Sequence, residues 1–319
     1  MGAPRLPLRD QPAVRPPNGR ACPTLPTISG CTGPRQRGIF FLAAGCYTPP
    51  VSETLIINEI YLSLQGESTF AGLPCVFIRL TACDLRCSYC DTAYAFTAGQ
   101  KQSLPAILAR VDELAAPYKN SAAGARVRDP QPRTLPVPPG IRRPAHQGAD
   151  RLPLVELTGG EPLLQKNSLP LMRRLCDAGY TVLLETSGAH DITPVDPRVR
   201  RIMDLKCPGS GEAGRNQPAN LAQLRPTDEV KFVIGTREDY DWMKEQIREH
   251  NLAAVCPLLC SWVHPLTPDQ QHPALKPVPA GHTPVSRREL AERIIADALP
   301  VRFQAQLHKL IWPPEQRGV

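Results

Sequence analysis

Aromatic residues and long apolar runs are both scarce in this sequence, and their scarcity limits what the protein can be. Phe, Trp and Tyr make up 5% of the 319 residues. No stretch approaches the roughly 20 apolar residues that a transmembrane helix needs, so we expect no membrane span. The apolar run at 39–46 is too short, and too far from the start, for a secretory signal. No internal repeat is visible, and none of the seven histidines belongs to a pair with metal-ligand spacing.

Proline and arginine, in contrast, are concentrated in two regions. The chain has 37 prolines, about twice the usual share of roughly 5%, with ten in residues 1–50 and six in residues 130–144. Residues 1–50 and 119–152 each contribute +5 to the formal net charge of +7, so the rest of the chain is slightly acidic. We predict that 1–50 is an N-terminal extension, either disordered or upstream of the true start, and that the folded domain spans 51–319. Outside these two regions the sequence has no stripe of basic residues that would indicate nucleic-acid binding.

The cysteines point to a metal or cluster site. Eleven cysteines are too many for an inert cytosolic protein and an odd number for a disulfide scaffold. Cys83, Cys87 and Cys90 fall within eight residues as CxxxCxxC, which is too close for a disulfide framework. A metal or iron–sulfur site in a reducing compartment explains the pattern better, so we expect a cytoplasmic protein.

Short β-branched runs alternate with helical patterns from Leu55 onward, which predicts a parallel α/β sheet. The predicted strands are Leu55–Ile60, Cys75–Leu80, Leu154–Leu157, Thr181–Glu185, Arg201–Leu205, Glu229–Ile234 and Ala254–Ser261. The predicted helices are Leu104–Ala115, Leu169–Ala178, Glu238–Glu249 and Ser286–Ala298. Six or so strands suggest a partial β/α barrel, open on one side. Several strands run into residues with reactive or ligating groups, and in parallel α/β folds sites collect at the carboxyl ends of strands.

Three cysteines after a strand are informative because of their number. A structural zinc site would need four protein ligands, and an electron-transfer [4Fe–4S] cluster usually has four thiolates. Three leave one iron open, and S-adenosylmethionine can chelate that iron through its amino and carboxylate groups. An electron from the cluster then cleaves the sulfonium to methionine and a 5′-deoxyadenosyl radical. The spacing, with Tyr89 before Cys90, resembles the radical S-adenosylmethionine superfamily signature; the alternatives are a zinc knuckle or incidental core cysteines.

The segment Leu157–Pro162 supports the same resemblance. It reads LTGGEP, and two glycines directly after an apolar strand let the backbone approach a ligand closely. In the superfamily such a stretch meets the amino group of S-adenosylmethionine. Alone, a Gly-Gly-Glu-Pro turn is more often a tight loop between a strand and a helix. Its position about seventy residues after the cysteines, at the next main strand, favours the cofactor role.

Further segments resemble one family of the superfamily, the 7-carboxy-7-deazaguanine synthases. They are SLQGES, PCVFIRL, ELTGGEPLLQ, ETSG, DLKCPGSGE, DEVKFVI and the ending LPVRFQAQLHKLIWPPEQRGV. The match covers nearly all of residues 55–319, apart from Pro-rich inserts near 119–150 and 266–284. It implies a radical ring contraction of 6-carboxy-5,6,7,8-tetrahydropterin to 7-carboxy-7-deazaguanine with loss of ammonia, on the route to queuosine. It also implies a [4Fe–4S] cluster, S-adenosylmethionine regenerated in each turnover, Mg²⁺, a flavodoxin or ferredoxin as electron donor, and a homodimer.

By the same resemblance, five residues would contact the substrate: Leu64, Gln65, Gly66, Arg79 and Thr158. Arg79 would bind the pterin carboxylate, because a guanidinium does not lose its charge. Gln65 would offer both a donor and an acceptor to the amide edge of the pterin. The alternatives are a surface ion pair for Arg79 and a simple polar turn for SLQGES.

A second set would surround S-adenosylmethionine: Tyr89, Cys90, Asp91, Gly160, Ser187, Gly188, Lys206, Cys207 and Pro208. Glu161 and Glu185 are candidates to hold its ammonium or ribose hydroxyls, although a salt bridge explains Glu185 nearly as well. Cys207 is expected to form a wall of the pocket and not to ligate the cluster.

The metal ligands implied by the resemblance are Cys83, Cys87 and Cys90 for the cluster and Thr92 for Mg²⁺, which would also take oxygens from the substrate. From the residues alone Asp91 is the better Mg²⁺ ligand, and a helix cap is the alternative for either residue. His308 and Lys309 would close the site, unless QLHKLIW is only a packed terminal element.

Two other functions fit parts of the sequence. Another radical S-adenosylmethionine enzyme, such as a glycyl-radical activase, would share the cluster and the GGEP turn but not SLQGES, PCVFIRL and LHKLIW. A non-catalytic RNA-binding protein would use the arginine-rich segments. It would be metal-free or zinc-loaded, and its affinity would fall steeply with salt.

Overall fold

The computed structural model describes residues 53–119, 126–127, 150–314 and 316–319. The predicted extension at 1–50 and nearly all of the predicted insert near 119–150 lie outside these residues, so both stay predictions. The second predicted insert, near 266–284, is described. None of the described helices is long and apolar enough to cross a membrane.

One sheet of nine strands is the frame of the domain. In chain order, the strands of the described residues are β1 Thr54–Leu64, β2 Pro74–Leu80, β3 Gln100–Ser103, β4 Arg126–Val127, β5 Asp150–Arg151, β6 Leu154–Gly159, β7 Val182–Thr186, β8 Arg200–Asp204, β9 Glu229–Ile234, β10 Leu258–Trp262 and β11 Arg302–Gln304. β4 and β5 pair with each other, and the other nine follow the order β11-β10-β9-β8-β7-β6-β2-β1-β3. Neighbours from β2 to β11 are parallel. Because β3 and β11 are both edges of the described sheet, the predicted open, partial β/α barrel is confirmed.

Four of the described helices cover the outer face of this sheet. They are α1 Leu104–Lys119, α2 Ser168–Asp177, α3 Arg237–Glu249 and α4 Arg287–Ala296. A short helix, α5 His308–Ile311, lies instead on the inner side, where His308 and Lys309 line a cavity. α1 and α2 contact β1, β2, β6 and β7, whereas α3 contacts β9. The start of α3 is fixed by a capping box, in which Thr236 accepts the Asp239 N–H and the Asp239 carboxylate accepts the Thr236 N–H.

Strand alternation divides the residues of β2 between two environments. Val76 and Ile78 are fully buried in the core between the sheet and the helices. Cys75 and Phe77 point the other way, into the inside of the sheet, where they form a second apolar cluster with Leu154 of β6. Successive residues of a strand face opposite sides of the sheet. The inward-facing residues nearer the carboxyl ends of the strands therefore form the walls of a cavity.

The sheet differs from the sequence prediction in three places, each with a simple cause. β10 begins at Leu258 and not at Ala254, because 252–254 form a 3₁₀ turn and Pro257, which has no N–H, precedes the strand. The pattern does not predict β3 and β11, because both are short, largely exposed edge strands without apolar alternation. β1 is antiparallel to β2, since the loop between them is too short for a parallel crossover.

A buried ion pair joins the starts of β8 and β9, and its removal should destabilise the fold. Asp228 is fully buried and lies 2.5 Å from the guanidinium of Arg201, which is also buried. We expect Asp228→Ala to lower the free energy of unfolding by about 3–5 kcal/mol, because it leaves the Arg201 charge without its partner. The measurement is urea unfolding.

The control for that experiment is the exposed pair of Arg288 and Glu292 on α4. Glu292→Ala should not change the unfolding midpoint measurably, because exposed ion pairs contribute little. Equal effects of the two substitutions would contradict a structural role for the buried pair.

Candidate functional site

A cavity of about 550 Å³ lies inside the sheet at the carboxyl ends of its strands, within the usual range of small-molecule sites. Most of the predicted site residues form its wall: Leu64, Gln65, Gly66, Arg79, Cys83, Cys87, Tyr89, Cys90, Asp91, Thr92, Thr158, Gly160, Ser187 and Lys206. Glu185, His308 and Lys309 line it as well. The fold therefore brings together residues that are up to 245 positions apart in the sequence, from Leu64 to Lys309.

Three residues predicted to contact the cofactor do not line this cavity: Gly188, Cys207 and Pro208. Cys207 is fully buried in the outer core, and its thiol lies 3.7 Å from the carbonyl of Leu205. Its side chain therefore packs toward the helices, while its neighbour Lys206 faces the cavity. Pro208 begins a 3₁₀ turn behind the wall.

The cysteine loop and the LTGGEP segment touch each other through their backbones. Ala82 has a positive φ of 77°, and its carbonyl accepts the Glu161 N–H at 2.8 Å. A Cβ built on Gly160 would lie only 1.9 Å from the same carbonyl oxygen. Glycine at position 160 is thus required by the contact between the two loops, which fixes the cysteines relative to the end of β6.

The three thiols lie on one apolar wall of the cavity. Cys83, Cys87 and Cys90 are free and pack with Leu85 and Ala189. Burial raises the pKa of Cys83 to about 12 and that of Cys87 to about 11, so a metal or cluster must displace protons when it binds there. Among the described residues no three His, Cys, Asp or Glu side chains converge closely enough for one metal ion. A [4Fe–4S] cube differs from a single ion because each thiolate binds a separate iron, and the triad fits that demand.

Beside the thiols, two buried polar atoms have no hydrogen-bond partner within the described part of the chain. They are the hydroxyl of Tyr89 and Oδ1 of Asp204. The other oxygen of Asp204 lies 2.7 Å from the ammonium of Lys206. Buried polar groups are rarely left without a partner, so these atoms fit a ligand that carries its own donors and acceptors, as the ribose and methionine parts of S-adenosylmethionine do.

Glu161 has a structural role that the sequence did not reveal. Its carboxylate is fully buried and accepts hydrogen bonds from the Leu163 N–H, the Thr186 hydroxyl, and both the N–H and hydroxyl of Ser187. These bonds occupy the carboxylate, so the prediction that it holds the ammonium or ribose of the cofactor is not supported. Glu161 instead ties the LTGGEP turn to the end of β7.

A network of buried charges forms the opposite wall. It contains the salt bridge that the sequence analysis gave as the alternative for Glu185, whereas the roles of Glu156 and Lys231 were missed. Lys231 of β9 lies 3.1 Å from Glu185 of β7 and 3.4 Å from Glu67 of the β1–β2 loop. Glu156 of β6 accepts a hydrogen bond from the side-chain amide of Gln65. All of these residues line the cavity. A period-two reading of LVELTG and EVKFVI would have found Glu156 and Lys231, because each is an inward position within an apolar strand.

The carboxyl groups of this network differ in how readily they take up a proton. Burial and the neighbouring charge of Glu185 raise the pKa of Glu156 well above its ordinary value. Burial acts in the same direction on Glu185, but Lys231 outweighs it and the pKa of Glu185 is lowered. Glu156 is therefore the carboxyl group of this wall that takes up a proton more readily, and Lys231 favours the charged form of Glu185.

Arg79 lies on β2, next to β6, and part of its guanidinium is hydrogen-bonded to neighbouring side chains. Its Nε donates to Glu59 at 2.7 Å and one terminal nitrogen donates to the Tyr61 hydroxyl at 2.9 Å. The guanidinium also lies 5.9 Å from the centre of the Tyr94 ring. Arg79 is not a surface ion pair, since it is largely buried in the cavity wall. Its remaining N–H groups are the ones available to a ligand.

Asp91 and Thr92, the two candidates for Mg²⁺ binding, have different surroundings. Asp91 lies 2.5 Å from the ammonium of Lys309 in the terminal segment. Burial would raise the pKa of Asp91, but Lys309 lowers it overall. The Thr92 hydroxyl contacts Cys90 Sγ at 3.7 Å, and Thr92 caps the following 3₁₀ turn without a side-chain hydrogen bond. The helix-cap alternative is therefore not supported for Thr92, and Asp91 is already paired.

The predicted insert near 266–284 lies over the cysteine side of the cavity. His272 packs edge-on against Phe96, and the Lys276 N–H donates to the Arg86 carbonyl at 2.9 Å. The Lys276 ammonium lies 2.9 Å from Glu212. A second cavity of about 730 Å³ lies under this segment and shares Tyr89, Val263, Gln271 and His272 with the first. The insert is thus part of the wall around the site.

The chain is similar to known enzymes over most of its length. The 7-carboxy-7-deazaguanine synthase of Koribacter versatilis is 42% identical over 82% of this chain and 99% of that enzyme. The enzyme of the same name from Chlorobaculum tepidum is 38% identical over 83% of this chain and 97% of its own length. The crystal structure of QueE from Escherichia coli shares the fold, with a TM-score of 0.51 and 20% identity over 79% of this chain and 94% of that chain. No protein-family model matches the chain.

The cysteine triad leads to a prediction that does not depend on the substrate. Under anaerobic reconstitution the protein should take up about four irons and as many sulfides per chain and turn brown, and Cys83→Ala should lose most of this uptake. The measurement is iron and sulfide analysis with visible absorption.

A matched control is Cys176→Ser, because Cys176 is a half-buried free cysteine on α2, outside the cavity wall. Its iron uptake should equal that of the unsubstituted protein. Equal iron content in both variants, or a colourless protein with one zinc, would count against a cluster on the triad.

Proposed function

This chain belongs to the 7-carboxy-7-deazaguanine synthase family of radical S-adenosylmethionine lyases, and we propose that the 550 Å³ cavity at the carboxyl ends of its strands is the active site. The reaction of the family contracts the ring of 6-carboxy-5,6,7,8-tetrahydropterin to 7-carboxy-7-deazaguanine and releases ammonia, a step of queuosine biosynthesis. The observation that carries the assignment is that one cavity has the three thiols on one wall and Arg79 on another.

In this proposal Cys83, Cys87 and Cys90 hold the [4Fe–4S] cluster, which together with S-adenosylmethionine supplies the radical that begins the reaction. Tyr89 and Lys206 lie beside the thiols, and Gly160 and Ser187 form the adjoining wall. Their contribution is to orient the cofactor and to keep water away from it. Asp204 provides an unpaired buried oxygen for a hydroxyl or ammonium group.

The carboxylate of the substrate binds Arg79. The guanidinium has free N–H groups on its terminal nitrogens, while Glu59 and Tyr61 hold the rest of it in place. A guanidinium keeps its charge when buried and can bind a carboxylate through two hydrogen bonds. Thr158, the register partner of Arg79 on β6, contacts the same end of the substrate.

The pterin ring lies against Leu64, Gln65 and Gly66. The Gln65 amide is fixed at both ends, because its Oε1 accepts the Glu67 N–H at 3.0 Å and its Nε2 donates to Glu156. One N–H and one lone pair remain for the substrate. The excess of carboxyl groups over cations at this wall suits the aminopyrimidinone edge of a pterin, which presents several N–H donors.

Thr92 would hold Mg²⁺ through its hydroxyl, with the substrate supplying further oxygens. Thr92 lines the cavity beside Cys90, and its hydroxyl is not used as a helix cap. Mg²⁺ commonly keeps several waters and takes few protein ligands, so a single hydroxyl is consistent with the site. Asp91 remains with Lys309, whose segment closes this side of the cavity.

The partners follow from the chemistry and from the family. The cluster needs a one-electron donor, for which a flavodoxin or ferredoxin is suitable, and members of the family are generally homodimers. Eight free cysteines in the described residues and an oxygen-sensitive cluster are suited to a reducing compartment, so we place the enzyme in the cytoplasm.

The test is turnover by the reconstituted protein without oxygen, with Mg²⁺ and a chemical reductant. We expect 7-carboxy-7-deazaguanine and one ammonia per product, with S-adenosylmethionine recovered unchanged after many turnovers. Mass spectrometry and ammonia analysis measure these quantities. Consumption of S-adenosylmethionine on a protein target, without deazaguanine product, would favour a glycyl-radical activase instead.

Arg79→Lys tests the carboxylate site. Lysine keeps the charge but cannot make the paired hydrogen bonds, and hydrogen bonds to charged groups contribute about 1.5–3 kcal/mol. We expect the KM for the pterin to rise about 10- to 150-fold, with the affinity for S-adenosylmethionine unchanged.

Arg174→Lys is the matched control, because Arg174 on α2 also pairs with a glutamate, Glu53, but lies outside the cavity wall. Its KM for the pterin should stay within about twofold of the original, since 0.4 kcal/mol is roughly twofold. A tetrahydropterin without the 6-carboxylate should bind the original protein and Arg79→Lys equally. If the loss in Arg79→Lys is the same for that analogue, Arg79 does not bind the carboxylate.

A further inference from the structure

The loop between β1 and β2, residues 65–73, crosses the open side of the sheet. It begins with Gln65 and Gly66, which the proposed function places against the substrate. Four consecutive residues of this loop, 66 to 69, each bond to residues on the far side of the opening. The far side consists of β9, β10, β11 and the residues that follow β11.

The first two bonds are made from within the cavity wall. The carbonyl of Gly66 accepts the Leu307 N–H at 2.9 Å. The carboxylate of Glu67 accepts the Ser261 hydroxyl of β10 at 2.9 Å and pairs with Lys231 of β9. Because Glu67 and Lys231 line the cavity, changes at these residues would alter the site itself.

The next bond lies outside the cavity wall. The side-chain amide of Gln304 on β11 accepts the Ser68 N–H at 3.0 Å and donates to the Ser68 carbonyl at 2.8 Å. It therefore satisfies both backbone groups of one residue. Ser68 has a positive φ of 66°, a backbone conformation that residues other than glycine adopt at some cost in energy. The residue is 3% exposed.

Thr69 makes the fourth bond. The Glu229 carboxylate at the start of β9 accepts both the N–H and the hydroxyl of Thr69. Glu229 is buried, so this contact is protected from water. It fixes the chain directly after Ser68, the residue with the positive φ. Glu229 also sits in the sheet, and its removal would leave polar groups buried without partners.

We propose that Gln304 is a positioning residue that latches the β1–β2 loop across the open side of the sheet and so holds Gln65 and Gly66 against the pterin. The inference rests on the proposed function. Gln304 touches neither the substrate nor the cofactor, because the cavity wall includes neither Gln304 nor Ser68. Its effect passes through the backbone of Ser68 to the substrate residues two and three positions before it.

The test is Gln304→Ala, which removes both hydrogen bonds. We expect the pterin affinity to fall about tenfold, which corresponds to about 1.4 kcal/mol, while the S-adenosylmethionine affinity and the iron content stay unchanged. The KM for the pterin should rise more than kcat falls. Gln304→Glu keeps an acceptor for the Ser68 N–H but loses the donor, so its pterin affinity should lie between the two.

Asn167→Ala is the control. The Asn167 side-chain amide also ties β1 to a distant segment, because it donates to the Thr54 carbonyl at 2.9 Å, and neither residue lines the cavity. Its removal should change the ratio of pterin to S-adenosylmethionine affinity by less than twofold. A parallel fall of both affinities in Gln304→Ala, or no change in either, would overturn the proposal.

Hydrogen exchange provides a readout that needs no substrate and no cluster. In Gln304→Ala the amides of residues 66–69 should exchange faster than in the original protein, and those of β7 should not change. Unaltered exchange at 66–69 would overturn the latch even if turnover supports the proposed function. Faster exchange with no pterin binding by the original protein would instead keep the latch and contradict the proposed function.

Discussion

The site depends on the two ion pairs that the buried ammonium of Lys231 makes with Glu67 and Glu185. Burial alone would raise the pKa of Glu185, and the lysine outweighs this effect and keeps the carboxylate charged. Glu67, on the other side of the ammonium, belongs to the loop that carries Gln65 and Gly66, the residues proposed to contact the substrate. Removing one partner of a buried ion pair is costly, because it leaves the other charge buried without a partner. One cation thus links the charge of this wall to the position of the β1–β2 loop.

The cofactor side is built on a different principle, because there the backbones meet directly. Gly160 has no side chain, so the Ala82 carbonyl can approach its backbone closely. The carboxylate of Glu161 accepts hydrogen bonds from Ser187 at the end of β7. The two sides are joined by β2 and β6, in which Arg79 pairs with Thr158 and Leu80 pairs with Gly159. Arg79, the proposed carboxylate site, and the start of the cysteine loop are therefore only a few residues apart along one strand. A reaction begun at the cofactor and completed on the substrate would require this closeness.

Much of this arrangement could be predicted from the sequence, and the exceptions share a physical cause. Apolar strands such as PCVFIRL and EVKFVI, the cysteine spacing and the LTGGEP segment act locally, so their elements and their meeting at one end of the sheet could be predicted. Glu156 and Lys231 were missed because a charge in an apolar strand looks like an interruption until both faces are considered. The hydrogen bonds of Glu161 could not be predicted because its partners, Thr186 and Ser187, lie at the end of another strand. The pairing of Gln304 with Ser68 joins residues 236 positions apart, and no local pattern records it.

An open sheet admits two ligands, but it leaves one side of the site without a strand. A closed barrel would surround the site with backbone hydrogen bonds, whereas this chain closes the gap with a loop whose contacts to the far side are mostly single side chains. Such contacts can break one at a time, because a hydrogen bond contributes only about 0.5–1.5 kcal/mol net, or about 1.5–3 kcal/mol where one partner is charged. The wall around the three thiols, where the cysteine loop meets the LTGGEP segment through backbone contacts, is expected to stay in place when they do. We therefore expect the proposed substrate side to open more readily than the thiol side.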